Sequence, residues 1–135
     1  MAEYSKTSKE RLATCHESLA WLFTVVVQNY DCSILEGYRT PERQAELLAK
    51  GKSKVKDGKH NSFPSNAVDV SPYPIPKNWG VGDNLELAKF YHFAGYVKAT
   101  ADSLGVKIRW GGDWNGNNDF SDQTFNDLVH FELVD

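Results

Sequence analysis

Two polar segments interrupt hydrophobic stretches and hold the residues best suited to chemistry. In the first, His60 precedes Asp69, and Asp69 lies between Val68 and Val70. A carboxylate is costly to bury among apolar residues unless it is paired or binds a cation. In the second segment, His130 and Glu132 are two apart, so both side chains leave a strand on the same face.

Histidine and carboxylate side chains from separate segments form a common zinc ligand set. Two histidines and one carboxylate leave a fourth position open for water, as in catalytic zinc sites. Zinc in such a site promotes hydrolysis, and a nearby carboxylate can act as the base. From residue types alone, Asp127 and Glu132 both qualify as that base. A salt bridge or a turn cap remains open as the alternative explanation of Asp69.

The hydrophobic pattern predicts the elements that position these residues. Apolar residues recur at helical spacing in two long segments, and Thr40 followed by Pro41 is typical of a helix start. The predicted helices cover 8–29, 41–50 and 84–104, the last with Asp83 and Glu86 in a capping box. The predicted strands cover 32–38, 67–70, 106–110 and 128–134. This alternation indicates one α+β domain over residues 1–135.

Composition excludes several function classes. The formal net charge is −3, and no basic stripe of a nucleic-acid-binding protein is present. The polar N-terminal residues lack a signal-peptide pattern, and no apolar run is long enough to span a bilayer. We therefore expect synthesis in the cytoplasm, no stable membrane association and a monomer. Cys15 and Cys32 do not form a metal-type pair.

Four stretches together carry a family resemblance: GYRTPERQ, GKHNSFPSNAVDVSPYP, RWGGDWN and DLVHFEL. From about Ile34 to the C-terminus, the sequence resembles the D-Ala-D-Ala and L-alanyl-D-glutamate metallopeptidases, and most closely the branch that includes phage endolysins. The resemblance implies the hedgehog/D-Ala-D-Ala-peptidase fold, a central and mainly antiparallel sheet with flanking helices. It also implies a zinc enzyme that cuts the L-Ala–D-Glu bond of the peptidoglycan stem peptide, and that reaches the cell wall after release from the host cytoplasm.

The resemblance assigns roles residue by residue. His60, Asp69 and His130 match the zinc ligands, and Asp127 matches the acid that activates water and protonates the leaving amine. Arg39 matches an arginine that faces the cleft, where its planar fork suits a carboxylate or an oxyanion. Gln44 is a candidate for substrate binding.

The sequence also departs from the family pattern. Eight residues separate His60 from Asp69, more than the usual spacing, so residues 61–65 are expected to bulge outward. Gly58 stands where relatives have serine. Two alternative functions stay open: a D-Ala-D-Ala carboxypeptidase or dipeptidase, and a zinc-bearing binding module of another class, as in hedgehog domains.

A second cation is a further hypothesis, suggested by related phage enzymes. Oxygen-bearing side chains recur at short intervals after Trp110, as in calcium loops. The candidate ligands are Asp113, Asn115, Asn117, Asp119 and Asp122. The EF-hand glycine and glutamate are missing, and a region of Asx turns explains the same residues.

Overall fold

The structure is a computed structural model that describes residues 2–51, 58–77, 84–122 and 127–134. The helices are α1 (Lys6–Leu12), α2 (Glu17–Asn29), α3 (Pro41–Ala49) and α4 (Asn84–Leu104). The strands are β1 (Cys32–Glu36), β2 (Ala67–Pro72), β3 (Ile108–Trp110) and β4 (His130–Leu133). Short 3₁₀ turns cover Lys59–Asn61 and Phe120–Asp122.

The strands form an antiparallel sheet in the order β1-β2-β4-β3. The central pair, β2 and β4, aligns Asp69 with His130. A shift in the register between Ile34 and Glu36 brings Glu36 opposite Asp69. The expected α+β fold with a mainly antiparallel sheet is confirmed, and its two inner strands carry two of the predicted metal ligands.

One face of the sheet is apolar and packs against the helices, and the other carries the polar residues of β2 and β4. Side chains alternate along a strand, so Phe131 and its neighbours His130 and Glu132 leave β4 on opposite faces. Phe131 is fully buried and meets Phe23 of α2 and Phe93 of α4, with ring centroids 5.4 Å and 6.1 Å away. The helices therefore cover the core face, and the polar residues of β2 and β4 collect on the other.

The prediction of one N-terminal helix over 8–29 is wrong, because α1 ends at Leu12 and α2 begins at Glu17. The intervening backbone pairs with Ser65 instead: the Ser65 N–H donates to Thr14 O and the His16 N–H donates to Ser65 O, both at 2.8 Å. His16 then caps α2 by accepting the Ser18 N–H at Nδ1, 3.0 Å away. The break joins the N-terminal helices to the loop that follows His60.

The later helices begin and end close to the predicted positions. Thr40 caps α3 by accepting the Arg43 N–H at 3.1 Å, and Gly51 follows with φ 72°. The apolar stripe of α4 is buried at Phe90, Ala94, Val97 and Ala101. The predicted cap Asp83 lies outside the described residues. Within the described ranges, no helix is both long and apolar enough to cross a membrane.

Candidate metal centre and active site

The antiparallel pairing of β2 with β4 brings three predicted ligands together. Asp69 Oδ1 lies 3.1 Å from His60 Nε2 and 3.4 Å from His130 Nδ1. The ligand atoms of all three residues lie within 4.8 Å of one another. Tetrahedral ligands at zinc distances stand about 3.4 Å apart. The side chains therefore fit a single zinc-sized cation.

The ring of His60 is oriented by the backbone of β1's C-terminal end. His60 Nδ1 lies 2.7 Å from Gly37 O, and since a carbonyl can only accept, Nδ1 donates and carries the hydrogen. Its Nε2 is left to face Asp69. The Arg39 N–H donates to His60 O at 2.7 Å and Asn61 Nδ2 donates to Arg39 O at 2.9 Å, which holds the 3₁₀ turn against this segment.

His130 presents the other ring nitrogen. Its Nε2 lies 2.8 Å from Glu132 Oε1, so Nδ1 faces Asp69. The pKa of His130 is subject to opposing effects: burial lowers it, whereas hydrogen bonds to Asp69 and Glu132 raise it to about 9. For Asp69, burial raises the pKa, but hydrogen bonds from both histidines hold it well below the usual range. The cluster thus favours a positive charge among its members, which a bound divalent cation would supply.

Asp127 lies at the edge of this cluster. Its Oδ2 is 4.0 Å from His130 Nδ1, and its side chain is partly exposed. Burial, followed by repulsion from Asp69, raises the pKa of Asp127 to about 6. A carboxylate beside the ligand-bearing face, with this shift, suits a group that accepts and returns a proton.

Gly111 fixes the turn that carries Asp127. The Asp127 N–H donates to Gly111 O at 2.9 Å, and the Gly111 N–H donates to His130 O at 2.8 Å. A Cβ at Gly111 would overlap the carbonyl oxygen of Asp127. Gly111 therefore has a structural role that the sequence analysis did not identify.

Glu132 lies on the far side of His130 from Asp69. It contacts the ring at Nε2, while its Oε2 lies 3.6 Å from Lys59 Nζ and 3.4 Å from Arg109 Nη1. Burial raises the pKa of Glu132, but the His130 hydrogen bond and the neighbouring cations lower it overall. A carboxylate stabilised in its charged form behind the ligand is poorly placed to accept a proton at the centre.

Arg39 lies beside the centre, and its guanidinium is largely buried. Nη2 is 2.7 Å from Glu36 Oε1 and 3.5 Å from Asp69 Oδ2, and Nη1 donates to Gln44 Oε1 at 2.8 Å. Gln44 is only 1% exposed. In this structure Gln44 holds the Arg39 side chain, and substrate binding by Gln44 stays a prediction.

Aromatic side chains line the surroundings of the centre. The Trp114 ring lies 5.2 Å from that of His130, a neighbour that the sequence reasoning did not assign to the site. In the widened loop after His60, Phe63 is 71% exposed and its ring lies 5.3 Å from that of Tyr38. The loop after His60 thus presents an exposed aromatic ring beside Tyr38.

The predicted calcium segment has the bonding of an Asx-turn region. Asp113 is buried and accepts the Asn118 N–H at 2.8 Å, Asn117 Oδ1 accepts the Asp119 N–H, and Asp119 Oδ1 accepts the Ser121 N–H. The Asp122 side chain lies outside the description. Among the residues that the structure describes, His60, Asp69 and His130 are the only His, Cys, Asp or Glu cluster suited to a metal ion. Calcium binding by Asp113, Asn115, Asn117, Asp119 and Asp122 stays a prediction.

Comparisons with known proteins agree with this geometry. A family model described as phage L-alanyl-D-glutamate peptidase matches residues 1–134, so the relationship begins well before Ile34. The L-alanyl-D-glutamate peptidase of Escherichia phage T5 is 31% identical, over 98% of each chain. The crystal structure of the L-Ala D-Glu endopeptidase ChiX of Serratia marcescens has the same fold, with a TM-score of 0.72, 24% identity, and coverage of 98% of this chain and 90% of that one. The chain belongs to the phage L-alanyl-D-glutamate peptidase family.

Proposed function

We propose that this chain is a zinc-dependent peptidase that hydrolyses the L-Ala–D-Glu bond of the peptidoglycan stem peptide. The observation that carries the proposal is that His60 Nε2 and His130 Nδ1 both face Asp69 Oδ1, at 3.1 Å and 3.4 Å, while the other ring nitrogens are already engaged. Such second contacts are typical of histidines that bind metals. When bound, zinc supplies a Lewis acid that polarises a carbonyl and acidifies water.

The chain's own residues supply the proton transfers and the positioning. Asp127 takes a proton from the attacking water at its carboxylate and delivers it to the leaving amine of D-Glu. Its place 4.0 Å from His130 Nδ1 supports this role over one for Glu132, which lies behind the ring. Arg39 holds Asp69, and its positive charge beside the centre favours the oxyanion that forms at the scissile carbonyl without a direct hydrogen bond to it.

The biological setting of the proposal is host lysis. Phage relatives with the same activity in their names support an endolysin that is made in the host cytoplasm and acts on the cell wall. The partner is then the stem peptide of peptidoglycan, and the enzyme acts as a monomer.

The main alternative, a D-Ala-D-Ala carboxypeptidase, requires a group that holds a terminal carboxylate. Arg39 was the candidate, but its guanidinium already contacts Glu36, Gln44 and Asp69, and its side chain is 10% exposed. This arrangement favours the endopeptidase. The other alternative, a binding module with little turnover, gives no role to Asp127 beside the ligands.

Metal removal tests the zinc site directly. We expect chelator treatment to abolish cleavage of a muropeptide, and added zinc to restore it. His60→Ala removes a ligand, so this variant should bind zinc weakly and stay inactive after zinc is added. His92→Ala is the matched control, because His92 is exposed and contacts Tyr30, away from the centre. Full turnover by the chelated wild type would contradict the proposal.

A further inference from the structure

Glu132 forms a buried contact that links both histidine-bearing segments. It is 8% exposed, and its Oε1 accepts the His130 Nε2 hydrogen at 2.8 Å. Its second oxygen, Oε2, lies 3.6 Å from Lys59 Nζ and 3.4 Å from Arg109 Nη1. Each carboxylate oxygen thus has a distinct partner set: one faces the imidazole, and the other faces two cations.

The two cations tie Glu132 to other parts of the site. Lys59 directly precedes His60 on the 3₁₀ turn, and its Nζ also donates to Leu133 O. Arg109 lies opposite Glu132 in the register of β3 and β4. The carboxylate therefore connects the 3₁₀ turn that carries one histidine, the strand that carries the other, and the neighbouring strand.

The hydrogen bond also selects the form of the His130 ring. An ionised carboxylate only accepts hydrogen bonds, so the bond to Glu132 places the hydrogen on Nε2. A neutral ring then has its lone pair on Nδ1, the nitrogen that faces Asp69 at 3.4 Å. Without this partner, the ring can rotate about its bond to Cβ or carry its hydrogen on Nδ1, and either change removes the donor atom from the centre.

We infer that Glu132, held by Lys59 and Arg109, is a positioning residue that orients His130 and so raises the affinity of the centre for zinc. It acts through the ligand and takes no proton from the substrate. The inference rests on the proposed function in one respect, namely that the centre binds zinc.

Zinc affinity of the 135-residue chain, measured by competition with a chromophoric chelator, tests this role. We expect Glu132→Ala to weaken zinc binding about 10- to 100-fold, the usual cost of losing a partner behind a ligand. Glu132→Gln should lose less, because its amide oxygen still accepts the Nε2 hydrogen. Glu10→Ala is the matched control. Glu10 is exposed on α1, and among the ion pairs described it pairs with Lys6 alone. The zinc affinity of this variant should equal that of the wild type.

Two further readouts separate positioning from other roles. In ¹⁵N NMR spectra of the zinc-loaded protein, the hydrogen of His130 should be on Nε2 in the wild type, and its signal should weaken or shift in Glu132→Ala. At saturating zinc, kcat of Glu132→Ala should return close to the wild-type value, which a purely structural defect or the loss of a base would not allow.

The outcomes are distinguishable. Unchanged zinc affinity in Glu132→Ala, or a turnover that stays lost at saturating zinc, would overturn the inference. If Glu132→Ala does not fold, Glu132→Gln and Lys59→Gln serve in its place, and unchanged affinity in both variants would overturn it equally. If the wild type binds no zinc, both the proposed function and this inference are wrong. If the wild type and Glu132→Ala bind zinc equally well, only this inference is wrong.

Discussion

Asp127 is the proposed general base, and its substitution tests the proposed proton transfers. Asp127→Asn keeps the shape of the side chain but loses its ability to accept a proton. We expect kcat to fall roughly 10²- to 10⁴-fold, the usual contribution of a general base. Zinc affinity should change little, because the centre keeps its three ligands. Steady-state kinetics at saturating zinc, together with a zinc titration, measure both quantities.

Asp102→Asn is a suitable control for this substitution, because Asp102 is an exposed residue of α4. Its kinetics should match those of the wild type. Near-normal turnover by Asp127→Asn in zinc-loaded protein would show that another group accepts the proton.

At the scale of single residues, the candidate metal ligands were predictable from the sequence, but the contacts that orient them were not. His60, Asp69 and His130 were recognisable as candidates because polar groups interrupt apolar strands. The roles of Gly37 and Gly111 were not recognisable, since each depends on a backbone contact with a distant segment. Residue types alone left both Glu132 and Asp127 as candidate bases. Glu132 contacts His130 at Nε2 and Asp127 lies on the Nδ1 side, which supports the proposed role of Asp127.

At the scale of elements, Gly37 contacts both the break between α1 and α2 and the proposed metal centre. A Cβ there would overlap Thr14 Oγ1 and the Arg11 carbonyl oxygen, and Gly37 O orients the His60 ring. We expect Gly37→Ala to lower the free energy of unfolding by about 1–3 kcal/mol, as overpacking does, and to weaken zinc binding. Chemical denaturation of the metal-free protein and a zinc titration measure the two effects.

Gly95→Ala provides a control of opposite sign. Gly95 lies within α4, and a Cβ there meets nothing within 4 Å. Alanine should therefore stabilise the helix by about 0.5–1 kcal/mol and leave zinc affinity unchanged. Equal stability of Gly37→Ala and the wild type would mean that the close packing described around Gly37 is absent.

Helices with a strong hydrophobic periodicity or a clear cap were predicted with nearly correct bounds. The long stripe of α4 and the cap at Thr40 were read correctly because local sequence determines them. The break before α2 was missed because Leu12, Cys15 and Leu19 continue the helical spacing through it and all three are buried. Hydrogen bonds to Ser65 interrupt the helix there, and no local pattern reports a partner so distant in the chain.

At the scale of the whole molecule, both cysteines belong to the hydrophobic core on the helical face of the sheet. They are free thiols, and burial raises the pKa of Cys15 to about 11 and that of Cys32 to about 12. The thiolate is the reactive form, so both should resist alkylation in the folded protein at pH 8. Mass spectrometry after iodoacetamide treatment should find no label in buffer and two labels in denaturant. Rapid labelling of the native protein would contradict the described core.

The two faces of the sheet differ in what the fold determines. Helices on one face of the sheet cover the hydrophobic core, and the fold class was predictable from the alternation of elements. We expect the choice of scissile bond to depend on the exposed surface around the centre. That surface is not determined by the fold, so the substrate has to be tested on the wall polymer itself.

Mass spectrometry of the peptides released from Gram-negative peptidoglycan tests whether the chain cuts the L-Ala–D-Glu bond with zinc. We expect fragments with a new N-terminal D-Glu, which disappear when a chelator is present and return when zinc is added. Release of D-Ala in place of these fragments would keep the metal centre but contradict the proposed bond. Cleavage that persists in the chelator would contradict the metal centre itself.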